Sequence, residues 1–337
     1  MPERGGRGSI RGVSGVTIRP ARPADFERLR GVFARAKLGG PSMAGELAFV
    51  QGRLGGEAFV ADAGGELLGA GAAVAFGVNG WIGGVAVLPG WRGAGLGTAL
   101  TATAARWIAA AGADTMSLHA TAMGRPIYER LGFAADGRWL RLTITAEAGP
   151  EETARLAPAN RSPEARAGAM DTPGLPGADL PSGVRPGQAG SPNLSSADPP
   201  VGIRAARAGD LDAALALDRV VTGEDRAQLL RAVWGSGCLV AEDADGRVVG
   251  FHAPKPAGGA GGATVARDER AGAALQAAWQ RPGSEATVVL PEANAAGRQA
   301  LEAHGYRVTG ATTLMRRGPA PAYRPEGVFG GFNLFWG

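Results

Sequence analysis

Six residues, Arg92-Gly93-Ala94-Gly95-Leu96-Gly97, carry the strongest chemical signal in the chain. Their glycines let the backbone approach a ligand closely, and they open an apolar helical pattern whose first N–H groups have no intrahelical partner. Such a turn cradles an anion, and the positive end of the helix makes a phosphate or pyrophosphate its natural guest. The spacing G-x-G-x-G departs from the G-x-G-x-x-G of dinucleotide sites, and no Lys-Ser/Thr closes a Walker loop, so both nucleotide readings weaken. In a chain with 56 glycines the turn could also be a turn and nothing more.

The elements that must position it are legible on either side. Residues 82–88 form a short apolar run rich in Val and Ile, stopped sharply by Pro89-Gly90, as in a buried strand. Leu96, Leu100, Ala104, Trp107, Ile108 and Ala111 then recur at three- and four-residue spacing, and Gly112 is placed to cap the helix they define.

This strand, turn and helix resemble the acetyl-CoA site of the GNAT superfamily of N-acetyltransferases, whose signature is Gln/Arg-x-x-Gly-x-Gly/Ala after a strand ending near Val-x-Pro. Arg92, Gly95 and Gly97 match the signature, with Val87 and Pro89 ahead of them. Downstream, T-A-M-G-R-P-I-Y-E-R-L-G-F over 121–133 resembles the family's Tyr-x-x-x-Gly-Phe helix end. The resemblance covers roughly residues 16–145. It implies acetyl-CoA as acyl donor, with the pyrophosphate held by Arg92, Gly93, Ala94, Gly95, Leu96, Gly97 and Thr98. The pantetheine arm would pair with Val85, Ala86 and Val87, and Tyr128 would be the general acid that protonates the leaving thiolate. Thr121 stands where many relatives have an Asn near the pantetheine. Many relatives carry the general base on the core strand, yet 81–88 holds no carboxylate or histidine. The candidates left are His119, Glu46 or a water chain.

The rest of this half reads as a strand over 16–20, helices over 24–33 and 44–54, a hairpin of 58–62 and 66–71 around Gly64-Gly65, a strand over 114–120, a helix over 126–131 and a last strand over 139–145. From 146 to 200 Pro, Gly, Ala and Ser dominate and no period survives, which predicts a flexible linker. Residues 201–317 then repeat the first half in outline. Ile203-Arg204-Ala205-Ala206-Arg207-Ala208-Gly209-Asp210-Leu211 echoes Ile18-Arg19-Pro20-Ala21-Arg22-Pro23-Ala24-Asp25-Phe26 at constant offset. The chemistry is not copied. Opposite the glycine turn stands Arg267-Asp268-Glu269-Arg270-Ala271-Gly272, and opposite Tyr128 stands Leu301. Carboxylates at a phosphate site repel the ligand.

Composition is that of an ordinary globular protein of 337 residues, 45% hydrophobic and 20% charged, with net charge +4. The absence of basic blocks and an aromatic content of 6% argue against a nucleic-acid partner. The single cysteine, Cys238, excludes an internal disulfide and suits a reducing compartment. Residues 1–15 lack an apolar targeting core, and no stretch is long and apolar enough to span a membrane. The expectation is therefore a cytoplasmic acetyl-CoA-dependent N-acetyltransferase acting on a small-molecule or peptide amine, with no metal. A non-catalytic CoA-binding or regulatory module is the alternative. The expected architecture is α/β (mixed α+β): a disordered tail over 1–15, a catalytic GNAT domain over 16–145, a disordered linker over 146–200 and a degenerate GNAT-like domain over 201–337. Each domain would be a mixed, mostly antiparallel sheet flanked by helices. The two would pack against each other, and a homo-oligomer is left open.

Overall fold

A computed structural model describes residues 8–9, 15–39, 42–145, 201–256, 258, 261–280 and 285–336. The linker expected over 146–200, and most of the tail over 1–15, lie outside the described residues. Within that tail Gly8–Ser9 (β1) pairs antiparallel with Ile18 and Thr17 as an edge strand.

The first half runs β2 (Val16–Pro20), α1 (Pro23–Ala36), α2 (Ser42–Arg53), β3 (Glu57–Ala63), β4 (Glu66–Phe76), β5 (Asn79–Val87), α3 (Leu96–Ala110), β6 (Thr115–Ala120), α4 (Arg125–Arg130) and β7 (Ala134–Ile144). The element order is the expected one. β4 is longer than its sequence signal because small residues, such as Ala72 and Ala73, extend the pairing without large apolar side chains to mark it, and β7 starts earlier, at Ala134, where β13 pairs with it.

The second half repeats the order: β8 (Gly202–Ala205), α5 (Leu211–Thr222), α6 (Ala227–Val233), β9 (Leu239–Glu242), β10 (Val248–Pro254), β11 (Gly262–Ala266), α7 (Glu269–Trp279), β12 (Ala286–Pro291), α8 (Ala295–Ala303), β13 (Arg307–Arg317) and β14 (Val328–Gly330). The sequence echo has a physical cause. Arg19 bonds Asp25 at 2.6 Å, and Arg204 bonds Asp210 at 2.6 Å. Each aspartate also accepts a backbone N–H, from Arg22 at 2.8 Å and from Arg207 at 2.6 Å, so the same pair anchors the first helix to the first strand in both halves.

The sheets do not follow the boundary between the halves. One sheet has nine strands in the order β1-β2-β3-β4-β5-β6-β13-β7-β12, the other five in the order β14-β11-β10-β9-β8. β13 inserts between β6 and β7, antiparallel to both, and β12 pairs with β7 from Ala286↔Ile144 to Pro291↔Trp139. Each half thus lends its last long strand to the other. Cutting the chain would leave β6 and β7 with unpaired edges, a template for aggregation. We expect fragments 1–145 and 201–337 to be insoluble when produced alone and to copurify as one species when coexpressed, read by size-exclusion chromatography. A monomeric 1–145 fragment with a cooperative melt would show that the exchange is dispensable.

Candidate active site

The site begins where β5 parts from its neighbour. β5 pairs parallel with β6 only at Asn79↔Thr115, Gly80↔Met116 and Trp81↔Ser117, and beyond that the two strands diverge. On the other side Ala70 faces Ala86 while Ala72 faces Gly83, so β5 carries one extra residue in a bulge. Gly84 sits in it at φ 62°, where an L side chain is strained, and a Cβ there would also lie 2.8 Å from Leu47. Val85, the next residue, lines the opening beside the bulge.

The glycine turn closes the slot's outer end. Arg92 is exposed, and its guanidinium donates to the carbonyls of Val87 (3.2 Å) and Ala36 (3.0 Å), tying the end of β5 to the end of α1. Gly95, at φ 83°, is the N-cap of α3, and no side chain caps that helix end. Its first N–H groups are therefore left for a guest. Val85, Ala86, Val87, Arg92, Gly93, Gly95, Leu96, Gly97, Thr98 and Thr121 all line one cleft of about 550 Å³, large enough for an extended pyrophosphate-bearing cofactor arm. Ala94 is not among its lining residues.

Tyr128 stands at the inner end of this cleft, on α4, buried and edge-on to Phe133 with ring centroids 6.3 Å apart. Burial pushes its phenol up to about 12, so it holds its proton at neutral pH and is a donor.

A second cavity of about 720 Å³ meets the first at Leu38, Val85, Thr121 and Tyr128. Both halves build it. α2 contributes Met43 and Glu46. The second half contributes Lys255, Glu285, Thr287, Thr312, Asn333 and Leu334. Glu46 is buried, and burial pushes its carboxyl up to about 7, offset in part by a hydrogen bond from Asn333 Nδ2 to Oε2 (3.2 Å) and by the nearby Lys255 charge. Lys255 Nζ also donates to the Thr287 carbonyl at 2.9 Å, and burial lowers its affinity for its proton.

His119 lines the same cavity but is held differently. Its ring stacks on Trp81 (5.5 Å, 23°), meets Trp139 edge-on (4.9 Å, 70°), and shares Nδ1 with Thr312 Oγ1 at 3.3 Å. Burial, aided by Arg316, drives its pKa down to about 3, so it is neutral and a weak proton acceptor. Trp81 in turn donates to the buried Glu224 of the second half at 2.9 Å.

The structure thus lines one chamber with Tyr128, Glu46, His119 and Thr121, and of these Tyr128 and Thr121 also line the cleft that holds the glycine turn. Sequence reasoning missed Asn333, Lys255 and Glu285. No local signal could have found them, because their chemistry depends on a strand exchange and on the path of the last ten residues.

The second half lacks this machinery. Asp268 caps α7, accepting from Ala271 N at 3.0 Å, so its own carboxylate takes the helix end where an anion would bind. Leu301 is fully buried in a hydrophobic cluster with Leu140 and Tyr306.

Profiles described as Acetyltransferase (GNAT) domain match residues 55–135 and, separately, 214–330. Among solved structures, one from Pyrococcus horikoshii classed with the acetyltransferases superposes with a TM-score of 0.69 at 18% identity, over 96% of this chain and 97% of that one. A GCN5-related N-acetyltransferase from Sphaerobacter thermophilus gives a TM-score of 0.57 at 18% identity, covering 93% and 98%. A tandem GNAT protein from the clavulanic acid biosynthesis pathway gives 0.55 at 14% identity, covering 91% and 99%. These likenesses concern the fold. A search of proteins of curated function found no match.

Proposed function

Because the chain belongs to the GNAT acetyltransferase superfamily and carries two of its domains in tandem, we propose that its first half transfers an acetyl group from acetyl-CoA to an amine seated in the chamber shared with the second half. The observation that carries this reading is the junction at Val85, Thr121 and Tyr128, where the cofactor cleft opens into the chamber that holds Glu46. Acetyl-CoA supplies an activated acyl group as a thioester.

The chain's own residues supply the rest. The uncapped start of α3 and the 92–97 turn hold the pyrophosphate, and the bulged backbone of β5 at Val85 to Val87 aligns the pantetheine arm and polarises the thioester carbonyl. Glu46 takes a proton from the ammonium form of the acceptor, freeing its lone pair for direct attack on the thioester carbon. Tyr128 gives its proton to the sulfur as the carbon–sulfur bond breaks, and the phenolate takes back the second proton that the newly acylated nitrogen sheds. His119, neutral and sandwiched between Trp81 and Trp139, shapes the chamber wall.

Titration calorimetry with acetyl-CoA and thiol release on a panel of amines test the reading. Gly95→Glu puts an L residue at a left-handed backbone position and a carboxylate at the anion site. We expect it to weaken acetyl-CoA binding by on the order of 100-fold, about 2.7 kcal/mol. Undiminished binding would move the cofactor elsewhere. Binding without turnover on any amine would leave a cofactor-binding module.

A further inference from the structure

In the second half, β11, α7 and β12 take the places that β5, α3 and β6 hold in the first. The slot between the two strands, open in the first half, is filled here by the chain's own last strand. β14 pairs antiparallel with β11, with Thr264 opposite Gly330 and Val265 opposite Val328, and Gly331 bridges to Val289 of β12. Buried amides fasten it: Gln276 Nε2 donates to the Phe329 carbonyl at 2.7 Å, and Asn294 Nδ2 to those of Glu326 (3.0 Å) and Val328 (2.9 Å). The Phe329 ring lies so close to α7 that a Cβ on Gly272 would be 2.3 Å from it. No room is left for a cofactor arm.

Two residues beyond that slot the chain enters the acceptor chamber of the first half. Asn333 Oδ1 accepts the backbone N–H groups of Phe335 (2.7 Å) and Trp336 (3.2 Å), which fixes the plane of the amide. Its Nδ2 is thereby aimed at Glu46 Oε2, 3.2 Å away. Phe335 and Trp336 are fully buried, the first against Gly83 of β5 and the second against Phe49 of α2.

We propose that the segment 328–336 is a strap, anchored in the second half's filled slot, that presents Asn333 as the positioning residue for Glu46. This rests on Glu46 being the general base. A buried carboxylate has few ways to keep its charge, and a pre-aimed N–H donor is the cheapest. The strap gives the non-catalytic half a catalytic consequence: it sets which Glu46 oxygen is tied and which is free for the acceptor. Among the described residues, the other charged or titratable groups facing the chamber are Lys255, Arg141, Glu285, His119 and Tyr128, and none of them lies on the strap.

The test uses the full-length chain and the pH profile of kcat/KM. Asn333→Asp keeps an oxygen for the two N–H groups and turns an acceptor toward Glu46. Asn333→Ser keeps an oxygen near the two N–H groups, and its shorter side chain draws the one remaining donor, a hydroxyl, back from Glu46 without adding charge. Because activity requires ionised Glu46, it is lost as pH falls through the Glu46 pKa, and a higher pKa moves that limb upward. We expect the limb to rise by about one pH unit or more in Asn333→Asp, a loss of roughly fivefold or more at pH 7, and by less in Asn333→Ser. Acetyl-CoA affinity should stay within about twofold, since Asn333 lines only the acceptor chamber. An unmoved limb in both variants, with only the melting temperature or KM changed, would overturn the proposal. Glu46→Gln separates the two ideas. If it leaves the limb in place, the base assignment falls and the strap's role with it; if it removes the limb while the Asn333 variants leave it unmoved, the base stands and the strap alone fails.

Discussion

Tyr128→Phe should lower kcat by a factor on the order of 10² to 10⁴, the usual contribution of a positioned general acid, while the acetyl-CoA dissociation constant changes by less than about threefold. The ring stays, so its edge contact with Phe133 and its place in the wall shared by cleft and chamber stay too. What is removed is a hydroxyl whose proton burial holds tightly, up to about 12. That proton is needed only when the carbon–sulfur bond breaks, so the loss belongs to the transition state and not to ground-state binding. Single-turnover kinetics with calorimetry on the same preparations decide the matter. An undiminished kcat would make Tyr128 a core aromatic and assign the proton to water.

Glu46→Gln should cost a similar factor, on the order of 10² to 10⁴ in kcat/KM near neutral pH, and should remove the inflection near pH 7 from the profile. Burial raises this carboxyl to about 7, against which the Asn333 bond and the Lys255 charge pull downward. A base with that affinity is matched to an operating pH near neutrality. Its neutral form, which Gln mimics in shape, still accepts the Asn333 N–H, so packing around α2 is preserved. Activity in the wild type is present above the Glu46 pKa and lost as pH falls through it. In Glu46→Gln the residual rate should instead follow only the ionisation of the acceptor amine. A retained limb near pH 7 would point to another group, and His119, held near 3, is a poor candidate for it.

Much of this protein is legible without its fold. The turn at 92–97 announces itself because it is a local device: glycines at fixed offsets, a strand before and an amphipathic helix after, all within about thirty residues. Tyr128 is legible only through the resemblance of 121–133 to the family's Tyr-x-x-x-Gly-Phe helix end. The second copy shows through the repeated Arg and Asp at constant offset, since the ion pair they make is what starts the first helix in each half. Its departure from the first half shows too, with Asp268 standing in the counterpart of the glycine turn and Leu301 in that of Tyr128.

Other features exist only in three dimensions. That β13 lies between β6 and β7 is written in no single segment, because strand pairing joins backbones by hydrogen bonds that carry no residue code, and alternation marks a strand without naming its neighbour. The sequence left His119, Glu46 and a water chain as candidates for the base, and burial moves the first two in opposite directions. The same loss of water that stabilises neutral His119 between Trp81 and Trp139 makes a carboxylate at Glu46 hold its proton to about neutral pH. Asn333 had no signal of its own. It acts because β14 fills a slot in one half and the following turn delivers its amide to the other, and only the closed tertiary structure brings residues 287 positions apart within a hydrogen bond.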